Sequence, residues 1–136
     1  MTSYIPADIR RLVTERASSR CEYCMIRESD TFCGCQIDHI IAEKHDGKTT
    51  ESNLAFTCTY CNRFKGSDVG SIAKSTGEFT RFFNPGTDNW FDHFEWSRYT
   101  ILPRTPIGET TYRILQLNEP DRILEREAIG EQKDAK

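Results

Sequence analysis

The stretch FCGCQIDHIIAEKHDG, residues 32–47, decides how the chain is read. Residues 35–41 are short, apolar and β-branched enough for a strand, with Ile37, Ile40 and Ile41 as its apolar content. Yet Asp38 and His39 stand inside that run, where they are poor choices unless something binds them. Cys33, Cys35 and His45 crowd the same window, so more than one metal site can be imagined in it. Downstream, KHDGKTTESN is a turn-rich loop built around Asp46–Gly47. Residues 54–57 fit a second short strand returning beside the first, and TYCNRFKG (59–66) fits one or two helical turns ending at Gly66. The expected order is strand, loop, strand, helix: a ββα unit.

A cysteine pair flanks this unit on each side, CEYC with Cys21 and Cys24, and CTYC with Cys58 and Cys61. Each C-x-x-C places two thiolates close enough to bite one ion, and two such pairs complete a tetrahedral zinc site. The 33 residues between Cys24 and Cys58 hold the ββα unit itself, so zinc would staple its base shut. Four protein ligands leave no open position, which makes the site structural. With that site saturated, Cys33 and Cys35 read as small residues at the start of the strand; an accessory metal or redox role is the rival.

An ion that handles phosphates favours a few hard oxygen ligands, with positions left for water and substrate. Asp38 can supply one. Adjacent strand residues point to opposite faces, so Asp38 and His39 can flank one site only if the strand bends or ends there with a helix packed across it. Asn62, on the expected helix, could add a carbonyl oxygen. His39 would then be free as a general base, its pKa lying near neutrality. Asn53, at the far end of the loop, has the chemistry to hydrogen-bond backbone and fix the loop.

The string Asp38-His39-Ile40-Ile41, an Asn fourteen residues after the His, then C-x-x-C-N with Arg63-x-Lys65-Gly66, resembles the HNH endonuclease family of the ββα-metal superfamily. It resembles the branch in which CxxC pairs bind a structural zinc, and the likeness covers about residues 20–68. The resemblance implies Asp38 as metal ligand, His39 as the base that deprotonates water, Asn53 as the loop-ordering Asn, and Asn62 in place of the last motif His. Asn is a weak ligand for a soft ion, so Mg²⁺ or Mn²⁺ is the expected catalytic ion. The implied reaction is single-metal hydrolysis of DNA phosphodiesters, leaving 5′-phosphate and 3′-hydroxyl ends. Arg63, Lys65, Lys44 and Lys48 are the expected phosphate contacts.

Around this core, PADIRRLVTERAS (6–18) reads as a helix with Pro6 in its first turn and Ile9, Leu12, Val13 and Ala17 on one face. From residue 70 the texture turns aromatic, and NPGTDNWFDHF (84–94) resembles the C-terminal extension of small bacterial HNH proteins. Helical patterns follow at about 110–118 and 120–129, and a charged end, GEQKDAK, is expected to fray. His93 sits among Trp90, Phe91, Phe94 and Trp96, where packing is the favoured role. The fold expectation is α+β: a small zinc-stapled HNH core over 1–69, and a mostly helical, aromatic-rich extension over 70–136 packed on it as a single domain.

The net charge of −3 argues against a generally basic nucleic-acid binder but leaves room for a local groove. No apolar run approaches the roughly 20 residues that span a bilayer. The opening MTSYIPADIRR lacks a secretory layout, so a cytoplasmic protein is expected. Two rivals stand beside the nuclease. A catalytically silent zinc module binding nucleic acid or protein has no need of Asp38, His39 and Asn62 together. A redox or metal sensor would use Cys33 and Cys35. Oligomeric state and cleavage specificity are not written in the sequence; the small surface points to weak specificity or a guiding protein partner.

Overall fold

The computed structural model describes residues 4–130. They form two compact units, one running to Ser67 and taking in Asn84–Thr87, the other comprising Asp68–Phe83 and the chain from Asp88. The charged end over 131–136, expected to fray, lies outside the described residues.

In the first unit, helix α1 (Ala7–Ala17) starts one residue after Pro6, whose extended backbone leaves it at the cap rather than in the first turn. It stops where Ser18 and Ser19 both turn left-handed, at φ 54° and 57°. Strands β1 (Cys35–His39) and β2 (Leu54–Cys58) pair antiparallel in the register Cys35 with Cys58, Ile37 with Phe56, and His39 with Leu54. Directly opposed residues share a face. Ile37 and Cys35 therefore join Leu54 and Phe56 in the core that Ile5, Ile9, Val13 and Ala17 complete. That leaves Gln36, Asp38, Ala55 and Thr57 for the other face; α2 (Thr59–Lys65) follows β2 directly and contacts both strands. All five β2 residues are buried, as expected of a strand covered on both sides.

A buried ion pair ties this unit together. Glu22, 8% exposed, accepts from Arg16 Nε and Nη2 (both 2.8 Å) and from the Phe56 backbone N–H (2.9 Å). The same guanidinium donates to the carbonyls of Glu51 and Leu54. Burial opposes Arg16's charge, but the Glu22 hydrogen bond outweighs it and raises the guanidinium above its ordinary value. The Asn84–Thr87 turn belongs to this unit through Gly86, where a Cβ would lie 2.1 Å from the Ser52 carbonyl oxygen.

The second unit holds two hairpins besides its helices, and these the sequence reading did not anticipate. Strands β3 (Gly70–Ile72) and β4 (Phe79–Arg81) form one. A single turn, α3 (Trp90–His93), leads into the other, β5 (Phe94–Ser97) with β6 (Thr100–Pro103). Helices α4 (Pro106–Ile114) and α5 (Pro120–Ile129) follow. Trp90, Phe94 and Trp96 pack ring to ring at centroid distances of 5.0 and 5.4 Å. Two buried arginines of α5 hold backbone carbonyls: Arg122 those of Leu115 and Gln116 just after α4, and Arg126 those of Leu117 there and of Tyr99 between β5 and β6. Cations there complement the negative end of the helix dipole and satisfy carbonyls the helix cannot. Asn118 pairs with both backbone groups of Ile101, as a strand residue would.

Candidate metal centre and active site

The two CxxC turns meet at the base of the β1–β2 hairpin. The chain reverses at 21–24 through a backbone bond from Met25 N–H to the Cys21 carbonyl, with Met25 left-handed at φ 69°. Cys58 ends β2 and caps α2, its sulfur accepting from the Cys61 N–H at 3.5 Å. The sulfurs of Cys21, Cys24, Cys58 and Cys61 all lie within 4.8 Å of one another, and all four residues are buried. Cys24 and Cys58 stand 3.7 Å apart. A tetrahedron with Zn–S bonds of about 2.3 Å has edges of about 3.8 Å. The donor set and its spacing therefore fit zinc. Hydrogen bonding with Cys21 and Cys24, helped by burial and opposed by Cys61, pushes Cys58 up; burial foremost pushes Cys61 up. A divalent cation reverses that preference, because it binds the thiolates.

Cys33 is exposed and Cys35 half-buried against the hydrophobic core. Burial, ahead of the neighbouring thiols and Glu28, pushes Cys35 up to about 12. A thiol so far from ionisation is a poor nucleophile.

The loop joining β1 to β2 is organised by Asn53. Its Oδ1 accepts from Ile41 N–H (3.0 Å), and its Nδ2 donates to the carbonyls of Ile41 (3.0 Å) and Lys48 (2.8 Å). Its backbone carbonyl accepts from Ile40 N–H, carrying the pairing one step past the strands. Gly47 makes this closure sterically feasible: a Cβ there would lie 1.7 Å from the Ile41 carbonyl oxygen and 2.9 Å from Asn53 Nδ2. Asp46, left-handed at φ 68°, completes the turn.

His39 closes β1 and is 8% exposed, with Nε2 2.9 Å from the Thr49 hydroxyl. Asp38 is half-buried on the face shared with Ala55. Asn62 is half-buried on α2. Neither the Asp38 carboxylate nor the Asn62 amide makes a hydrogen bond or ion pair among the described residues, so two hard oxygen donors are left for another partner. The strand ends at His39, and α2 is held across it by Lys65, whose Nζ donates to the Ile40 carbonyl at 2.7 Å.

That bond corrects one expectation. Lys65 is only 6% exposed and its amine is committed to the end of β1, so it is not available to DNA phosphates. The cause is helical phase: Lys65 stands four residues after the zinc-side Cys61 and three after Asn62, on the inward face of α2. Arg63 is exposed, its guanidinium over the rings of Tyr60 (5.5 Å) and Phe64 (5.3 Å). Lys44 and Lys48 are exposed on the loop, as is His45 in the turn Glu43–His45. His93 in the second unit packs edge-on to Phe83 and meets the Thr105 hydroxyl at 2.7 Å, a packing role.

The sequence reading missed Thr49, and it missed Glu22 and Arg16, which brace the first cysteine turn. Glu22 lies inside CEYC, yet nothing in an exposed-looking charge announces burial.

No helix among the described residues is long and apolar enough to cross a membrane. No curated protein matches the chain. The family model for HNH endonuclease matches residues 21–68, from the first zinc-side cysteine to just beyond α2, and supports a nuclease-type function on nucleic acid. The four-cysteine cluster and the ββα order both lie within the 21–68 segment that is similar to the HNH endonuclease family.

Proposed function

We infer that the protein is a metal-dependent endonuclease that hydrolyses DNA phosphodiester bonds, with His39 as general base. One observation carries this reading. It is the match over 21–68 together with a buried His39 that ends β1 seated on the Thr49 hydroxyl, beside Asp38 in sequence, and Asn62 on the helix that Lys65 ties to the end of that strand.

Asp38 and Asn62 would hold one Mg²⁺ or Mn²⁺, hard ions suited to a carboxylate and an amide oxygen. When bound, such an ion supplies Lewis-acid stabilisation of charge on the phosphate and the departing oxygen. His39 takes a proton from water, and the water oxygen attacks phosphorus in line. The bond to the 3′ oxygen breaks, leaving a 3′-hydroxyl and a 5′-phosphate. Arg63, Lys44 and Lys48, all exposed, are suited to bind flanking phosphates. Asn53 keeps the loop in place behind His39. With so little surface, sequence specificity is weak or comes from a protein partner. The cysteine cluster holds zinc and takes no part in chemistry.

The test is plasmid nicking with Mg²⁺ or Mn²⁺ by the wild type and His39→Ala. Wild-type nicking that the substitution reduces by about 100-fold or more supports the reading, in line with the usual contribution of a general base. Equal nicking by both proteins, or none by either under any divalent ion, defeats it.

A further inference from the structure

We propose that Thr49 is the positioning residue for His39, accepting Nε2–H through its hydroxyl and thereby leaving Nδ1 as the nitrogen that takes the proton from water. The proposal rests on the reading of His39 as the base.

The contact is short, 2.9 Å between Nε2 and Oγ1, and it is made by an imidazole that is 8% exposed. In a neutral ring one nitrogen donates and the other accepts, and the partner of one decides the role of the other. Were the Thr49 hydroxyl to donate to Nε2, the ring proton would sit on Nδ1 and no lone pair would face the water. Accepting from Nε2–H avoids that, and the same bond strengthens once Nδ1 gains its proton and the ring becomes a cation. The proton count balances: water loses one proton, Nδ1 gains it, and Nε2–H stays where it was.

Thr49 is also held where this role requires. Asn53 Nδ2 donates at 2.8 Å to the carbonyl of Lys48, the residue just before Thr49, and its other bonds grip Ile41, two residues after His39. Gly47 lets the chain approach Ile41 closely enough for both grips to be made. The loop-ordering Asn thus reaches the base through a third residue: Asn53 sets the Lys48 backbone, the backbone sets Thr49, and Thr49 sets the ring. Partners that orient metal-ligating imidazoles are worth about 10- to 100-fold in activity, and an effect on the same scale is expected for a partner that orients a base.

Two measurements on the full-length, zinc-loaded chain decide the matter. The first is ¹⁵N NMR of the histidine side chains at a pH where the rings are neutral. The chain has three histidines, so His39 is assigned by its loss in His39→Ala. The wild type and Thr49→Ser are expected as the Nε2–H tautomer, with that preference lost in Thr49→Val. The second is Mn²⁺-dependent plasmid nicking. Thr49→Val, which keeps the shape and removes the hydroxyl, should lower kcat by about 10- to 100-fold at near-constant KM, and Thr49→Ser should recover most of it. An Nδ1–H tautomer in the wild type overturns the proposal. So does a Thr49→Val protein with unchanged tautomer and kcat, or one whose only change is a higher KM. A wild type that fails to nick DNA sinks the nuclease reading separately, and the tautomer of His39 still decides whether Thr49 accepts from it.

Discussion

Replacing Glu22 by Ala should strip the first unit of its zinc hold well before the second unit unfolds. The carboxylate is 8% exposed and accepts three hydrogen bonds of 2.8–2.9 Å, two from Arg16 and one from the Phe56 backbone. Its removal leaves the Arg16 guanidinium, whose side chain is only 22% exposed, without its counter-charge, and leaves a buried N–H on β2 without an acceptor. Breaking a buried pair from one side costs about 3–5 kcal/mol. Arg16 keeps its bonds to the Glu51 and Leu54 carbonyls and some contact with water, so the low end, ~3 kcal/mol, is expected. Against a domain stability of roughly 5–15 kcal/mol that is a large share. The assay is urea titration with two reporters. Zinc release to a chromophoric chelator follows the first unit, and tryptophan fluorescence follows the second, since Trp90 and Trp96 both belong to it. With a urea dependence of about 1.5 kcal/mol per molar, the zinc-release midpoint should fall by about 2 M. A fall below about 0.5 M would refute the reasoning, because the pair would then contribute no more than an exposed one. Replacing both partners by Met should cost less than Glu22→Ala alone, since no charge is stranded.

Three further outcomes follow from the same geometry. Cys58→Ser should abolish zinc binding and cooperative folding of the first unit, because the substitution removes a ligand sulfur 3.7 Å from Cys24; zinc stoichiometry and circular dichroism check this, and a folded, active, zinc-free variant contradicts it. Gly47→Ala should open the loop and cost ~2 kcal/mol or more in urea titration, since its Cβ would meet the Ile41 carbonyl oxygen at 1.7 Å, an approach the backbone must move to relieve. Cys35 should resist iodoacetamide while exposed Cys33 reacts: with its thiol pushed up to about 12, Cys35 stays protonated at pH 8 and its alkylation should accelerate only as the pH climbs toward 12, followed by mass spectrometry of the folded protein.

What could be read in the sequence was what depends on residue type at short spacing. Two CxxC pairs announce a tetrahedral site wherever the fold brings them together, and the sulfurs do converge. The ββα order followed from β-branched runs, Asp46–Gly47 and a Gly at 66, and its strands begin where expected. The second unit was harder. Strands of three and four residues are too short to display alternation, and the β5–β6 turn puts Arg98 at φ 56°, where Gly or Asn would have been the signal. The start of α4 was written in Thr105–Pro106, with Thr105 accepting from Gly108 N–H, yet the interior Gly108 obscured it.

Lys65 shows why a charged residue beside a metal-ligand position cannot be assigned by proximity in sequence. Arg63 and Lys65 look alike in the string C-N-R-F-K-G, but two positions on a helix are about 200° apart, so if one faces solvent the other faces in. The zinc fixes the phase: Cys61 must point at the cluster, which sends Lys65 inward one turn later and Arg63 outward. The buried amine then does what a phosphate contact could not. It satisfies the Ile40 carbonyl beyond the last β1 residue and fastens α2, with Asn62 on the same side, to the strand that carries Asp38 and His39. A zinc ligand therefore sets the helix phase that the proposed metal ligand Asn62 depends on, although Asn62 is not itself part of the cysteine cluster.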